Sequence, residues 1–207
     1  MKPARYFFIF VLAGVAAVAA PLTRDLGSNL FYHRIHILPG DLPGPEPSRP
    51  LTRIIDLRYV QGDKDAAVAL VAWVKFHAAP RTPIIVLANA DTHPALLAPF
   101  ANRGGGPAVL VVGLPGAAFV PDIAIDTSAE KDRLAYDALE HGAELLTLIA
   151  ENPDKPRYDE ASLSRDRSTE AESAADARKA AVNSPPTDAT LQRAIHLHRA
   201  LRALKKV

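Results

Sequence analysis

Two kinds of apolar pattern alternate through the middle of the chain: short unbroken runs, and longer stretches in which apolar residues recur every three or four positions. Residues 53–60 (RIIDLRYV) are β-rich and largely apolar, and the unbroken runs are 83–88 (PIIVLA) and 108–112 (AVLVV). The latter two have the length and β-branched content of strands buried on both faces. Between the first two of these three stretches, Ala66, Ala67, Leu70, Val71, Val74 and His77 keep helical spacing, and Asp63 or Asp65 is placed to cap that helix with a short carboxylate. Between the second and third, Thr92 opens a helix over 94–102, with Pro94 tolerated in its first turn and the glycines 104–106 ending it. Residues 121–125 (PDIAI) predict a short fourth strand, and 128–149 one or two helices broken near Gly142. Strand, helix, strand, helix, strand is the order of right-handed βαβ units on a mostly parallel sheet.

The ends of the chain differ from this middle. Lys2 and Arg5 precede an apolar run over 6–18, and Ala17-Val18-Ala19 follows with small residues before Pro21. That is the layout of a secretory signal with a cleavage point before Ala20, the run falling short of the ~20 residues a transmembrane helix needs; the alternative is an uncleaved N-terminal anchor. Residues 20–52 read as an extended N-terminal segment. Within it 29–38 (NLFYHRIHIL) alternates loosely as a first strand, with Tyr32, Arg34 and His36 on one face, before the prolines and glycines of 39–50 break any regular element. The α/β core then occupies 53–151. From 152 to 186 the chain is rich in Asp, Glu, Ser, Arg, Ala and Pro, and it lacks the aliphatics that offset ordering entropy. It reads as a polar linker with transient helix at most over 171–181. Residues 187–207 form a last helix, capped by Thr187 or Asp188. Leu191, Ala194, Ile195, His198, Leu201 and Leu204 line one side, and Arg193, Arg199, Arg202, Lys205 and Lys206 lie elsewhere. Such a stripe docks on its own domain or, as a basic amphipathic helix, on an anionic membrane surface.

Composition narrows the chemistry. Cysteine is absent, which in an exported chain excludes a disulfide scaffold, thiolate nucleophiles and thiolate metal sites. Removing Lys2 and Arg5 takes the formal charge from +1 to −1, so no bulk field draws the mature chain to nucleic acid. His33 with His36, and His196 with His198, match neither an i, i+4 helical metal pair nor a closed zinc set, and read as structural or solvated. Gly113-x-x-Gly116 follows a strand but lacks the Gly-Lys-Ser/Thr of a phosphate loop; it reads as a turn whose glycines relieve a positive φ. No metal and no cofactor is implied. Asp56 and Arg58 stand at a strand's C-terminal end, where α/β sites usually lie, although the two can equally pair with one another.

Three stretches in order resemble the carboxy-terminal processing (tail-specific) serine peptidases of the ClpP/crotonase-like fold. Residues 54–63 (IIDLRYVQGD) resemble that family's strand ending in Asp-Leu-Arg and its following loop. Residues 83–97 (PIIVLANADTHPALL) resemble the strand-to-helix passage that carries its nucleophile. Pro121-Asp122-Ile123 and residues 188–201 (DATLQRAIHLHRAL) resemble its closing strand and terminal helix. The resemblance implies a ClpP/crotonase-like architecture and a pocket made by Asp56, Arg58, Gly62, Asp63, Thr92, His93 and Pro94. It also shows what is missing. Where the family has a nucleophilic serine this chain has Thr92-His93-Pro94, and residues 113–119 contain no lysine to act as base. A Ser-Lys mechanism needs both. Asp63 replaces the second glycine beside the oxyanion site, where a carboxylate opposes the developing charge.

The expectation is therefore an exported, shortened relative without catalytic residues, acting in the periplasm or cell envelope, or alternatively secreted, as a binding or assembly module for a peptide or protein partner. It carries no nucleic-acid role, with membrane-surface contact through the last helix and homo-oligomerisation both open. The alternative is a hydrolase working through replaced residues, with His93 as base oriented by Asp91 or Asp56 and Thr92 attacking. Neighbours in sequence rarely face one another for proton transfer, which favours the first.

Overall fold

The computed structural model describes residues 22–44, 51–101, 108–116, 119–149 and 186–207. The signal segment, the glycines 104–106 and the linker with its transient helix over 171–181 lie outside the described residues. Six strands make one sheet in strict sequence order: β1 (Leu22–Asp25), β2 (Leu30–Arg34), β3 (Thr52–Asp56), β4 (Ile84–Ala88), β5 (Val109–Gly113) and β6 (Ile123–Ala124). β1 pairs antiparallel with β2, and every later pair is parallel. The α/β class and the mostly parallel sheet read from the sequence thus hold. The 29–38 stretch supplies β2, so the N-terminal segment belongs to the sheet rather than preceding it; β1, with three of its four residues exposed, carries too few apolar residues to have been foreseen.

Helices α1 (Lys64–His77) and α2 (Pro94–Ala101) cover one face. Asp63 is the N-cap of α1, its carboxylate accepting the Ala66 N–H at 2.9 Å. Ala66, Ala67, Leu70 and Val74 turn inward as the spacing requires, onto Ile55, Ile84, Val86 and Val111 of the sheet. The opposite face meets a 3₁₀ turn (Leu145–Leu148) and α4 (Ala189–Ala203), with α3 (Ala129–Glu140) beside them. Leu191, Ala194 and Ile195 pack there with Leu30, Tyr32, Ile54, Ile85, Leu87 and Val112. Full burial of a Leu or Ile side chain contributes about 1.5–3 kcal/mol, so the Leu191, Ala194 and Ile195 part of the stripe is held by its own domain, while Leu204 beyond it is exposed. β3 and β4 are buried along their whole length, which is why their sequences show no alternation.

Gly113 corrects one expectation. Its φ is not positive; a Cβ there would lie 1.7 Å from the Ala88 carbonyl oxygen of the adjacent strand. Close backbone approach, not a turn, demands glycine. Gly116 likewise faces the Ala90 Cβ, 2.7 Å from where its own would stand.

Candidate functional site

At the C-terminal ends of β2 and β3 lies a cluster of buried charge centred on Arg58, which is 1 % exposed. The chain leaves β3 through Leu57 and turns at Arg58 and Tyr59. Tyr59 takes a φ of 63°, a conformation uncommon for a bulky residue, and this points Arg58 back over the strand end. Its guanidinium meets three carboxylates from three elements: Asp56 ends β3, Asp132 lies on α3, and Asp188 caps α4. Arg58 Nη2 donates to Asp56 Oδ2 at 2.7 Å and to Asp188 Oδ2 at 2.8 Å. Nη1 donates to Asp132 Oδ1 at 2.9 Å and Asp188 Oδ1 at 3.1 Å, and Nε to Asp56 Oδ1 at 3.0 Å. All five N–H bonds of the guanidinium are used.

The carboxylates are equally saturated. Asp56 also accepts the Tyr32 hydroxyl at 2.8 Å and the Arg58 backbone N–H at 3.1 Å. Asp132 accepts from the Thr190 hydroxyl at 3.0 Å, the Tyr59 hydroxyl at 3.0 Å and Asn89 Nδ2 at 3.2 Å. Asp188 accepts the Leu191 N–H at 2.8 Å as the N-cap of α4. Burying an ion costs several kcal/mol, and only such complete pairing offsets it. Burial alone would push the Asp56 carboxyl up, but the Arg58 charge and hydrogen bonds, the Arg34 charge and the Tyr32 hydroxyl hold it below the usual range. For Arg58 burial opposes the charge, and Asp188 and Asp56 outweigh it, keeping the guanidinium ionised. Burial, then the neighbouring Asp56, pushes the Tyr32 phenol well up, so it stays a donor.

Tyr32, Arg34 and His36 do share a face. Arg34 donates to the Tyr136 carbonyl at 2.9 Å, stacks 3.4 Å above that residue's ring and pairs with Glu140 at 3.2 Å. His36 Nε2 meets the same carboxylate at 2.7 Å. His33 faces the other way, 3 % exposed. Burial, then the Arg53 charge, lowers its imidazole to about 4.

The second part of the expected pocket is the turn after β4. Thr92 is buried, and its hydroxyl donates to the Leu57 carbonyl at 3.0 Å and accepts the Asn89 N–H at 3.2 Å. Through Asn89 the turn is tied to Asp132 and so to Arg58. His93 donates its backbone N–H to the Val60 carbonyl at 3.0 Å, while its ring Nδ1 accepts the Ala95 N–H at 3.3 Å. Among the described residues no hydrogen bond joins His93 to Thr92, Asp91 or Asp56. Pro94 is exposed at the start of α2, and Gly62 packs against Leu96, whose Cδ2 would lie 3.0 Å from an added Cβ.

Of the seven expected pocket residues, Asp56 and Arg58 therefore meet in a sealed cluster, and Thr92 reaches it through Asn89. Gly62, Asp63, His93 and Pro94 lie outside it, around the starts of α1 and α2. Thr92 and Pro94 instead border an apolar cavity of about 460 Å³, with Leu97 and Phe100 of α2, Val111 of β5 and Phe119. Asp132 and Asn89 were missed. The signal for Asp132 lay in the α3 stripe, where it occupies the same face as Ala135 and Tyr136, a charge in an apolar row.

Arranged this way, the strand ends hold a structural ion cluster and an apolar cavity side by side, and among the described residues the Thr92 hydroxyl has no hydrogen bond to a carboxylate or an imidazole. No protein-family model, curated protein or solved structure matches the chain.

Proposed function

We propose that the protein is a non-enzymatic binding module, exported to the cell envelope, whose cavity beside α2 takes an apolar group of a peptide or protein partner. One observation carries this reading: the polar side chains at the C-terminal strand ends are engaged with each other, and the Thr92 hydroxyl with the Leu57 carbonyl. A general base must stand within about 3 Å of the proton it removes, and among the described residues the His93 ring is hydrogen-bonded only by the Ala95 N–H. The cavity volume of about 460 Å³ falls in the range of ligand sites, which are concave and mostly apolar. The strand order runs one way across the sheet, so no reversal opens the polar crevice used by dinucleotide folds. The resemblance to tail-specific peptidases supplies the wider frame: a ClpP/crotonase-like scaffold kept while the Ser-Lys pair is absent.

The test is incubation of the purified chain with a broad serine-reactive fluorophosphonate. No labelled band is expected. Labelling that disappears in Thr92→Val would sink the binding-module reading and establish the hydrolase instead.

A further inference from the structure

At the other end of the sheet, where β2 and β3 begin, the turn before β2, the residues ahead of β4 and the last turn of α4 enclose a cleft of about 600 Å³. Arg81, Arg202 and Lys205 line it, all exposed, together with Val207, and no Asp or Glu side chain does. None of the three has a hydrogen-bonded or ionic side-chain partner among the described residues. Cations in the last turn of a helix favour its dipole, which accounts for Arg202 and Lys205. It does not account for Arg81, which comes from a different part of the chain and adds like charge to the same hollow.

A second observation lies in the wall. His198 is 2 % exposed. Its Nε2 donates to the Ser28 carbonyl at 3.1 Å, which leaves Nδ1 as the buried acceptor, and Nδ1 has no partner. Ser28 itself belongs to a left-handed run, with φ of 77° at Gly27, 56° at Ser28 and 60° at Asn29. The backbone N–H groups of Ser28 and Asn29 donate to no acceptor among the described residues. Three cations in one hollow, amide donors with no acceptor among the described residues and a buried imidazole that gains a donor on protonation all suit one kind of guest.

We propose that this cleft binds a phosphate group, held by Arg81, Arg202 and Lys205 beside His198. A carboxylate is matched by a single guanidinium fork; three cations in one hollow suit a dianion. The volume exceeds that of a free phosphate and lies in the range of larger ligands, so the group is carried on a bigger molecule, a phosphomonoester or a phospholipid headgroup. Burial lowers the His198 imidazole, the Ser28 carbonyl works against this, and Arg202 lowers it further; a bound anion raises it.

The test uses the full chain, with inorganic phosphate followed through the His198 ring resonances and chloride at matched ionic strength as control. A second arm compares flotation with phosphatidylglycerol vesicles and with phosphatidylcholine vesicles. The variant is Arg81→Ala with Lys205→Ala, both exposed and away from the core. Saturable phosphate binding that raises the His198 pKa and weakens about tenfold or more in the double variant supports the site, as expected for two charges lost at contact distance. Flotation with phosphatidylglycerol alone, lost in the same variant, identifies the source as lipid. Binding that the double variant retains, or no response beyond chloride in either arm, overturns the proposal.

Discussion

Replacing Arg58 by methionine removes one cation and leaves three carboxylates facing each other. In the folded protein Asp56, Asp188 and Asp132 lie 2.7, 2.8 and 2.9 Å from the guanidinium nitrogens, and the Asp56 and Asp132 side chains are at most 1 % exposed. Breaking a buried pair by removing one partner costs about 3–5 kcal/mol. With three orphaned carboxylates the upper end applies, against a total stability of about 5–15 kcal/mol for a domain. The pH dependence tests the cause. In the wild type Asp56 is depressed when folded, so its contribution is present above the unfolded carboxyl pKa of about 3.9 and is lost as the pH falls through the folded value. In Arg58→Met burial of Asp56 is no longer outweighed, so its carboxyl is raised instead, the folded state takes up a proton first and gains stability relative to the wild type on acidification. Urea unfolding followed by the single tryptophan, Trp73, near neutral pH and again near pH 4.5 measures both. The expected deficit is about 4 kcal/mol at the higher pH and clearly less at the lower. A deficit below about 1 kcal/mol, the value of an exposed pair, or one equal at both pH values, would refute the argument.

Three further outcomes are expected. Asp188→Ala removes the α4 cap and two of the Arg58 contacts, costing about 3 kcal/mol or more; hydrogen exchange should show 189–203 losing protection before β3 and β4. His33 is held neutral down to about 4 when folded, while the unfolded imidazole protonates near 6.5. Stability from this residue is therefore full above about 6.5 and falls as the pH drops toward 4, by up to about 3 kcal/mol, and His33→Gln should flatten that slope in a series of denaturation curves. Gly113→Ala drives a methyl into the Ala88 carbonyl, an overpacking penalty of about 3 kcal/mol or more, and should lower the melting temperature far more than Gly142→Asn, where nothing lies within 4 Å and the φ of 87° is one that Asn tolerates better than most residues.

The fold was legible where burial imposes a simple pattern. Residues 83–88 and α1 follow directly from an unbroken apolar run and a helical stripe, since both are set by one dominant interaction. β1 was not legible, because an edge strand buries little and its pairing with β2 is a backbone matter. At the site, Asp56 and Arg58 stood out by position, and Asp188 as a cap. That all three belong to one ion cluster depends on Asp132, 74 residues beyond Arg58, and on the unusual φ of Tyr59. Neither leaves a local periodicity. The pocket inferred around His93 failed to assemble for the same kind of reason: the Thr92 hydroxyl found a carbonyl across the sheet end, 35 residues back, which no spacing rule registers.

The contact between Arg58 and Asp188 spans 130 residues, and its consequence is temporal. A chain made from its N-terminus has strand β3 and its buried arginine long before the cap of α4 exists. Until then one apolar face of the sheet lacks its cover, and the guanidinium lacks two of its acceptor contacts. Folding to completion thus waits for the last helix to emerge.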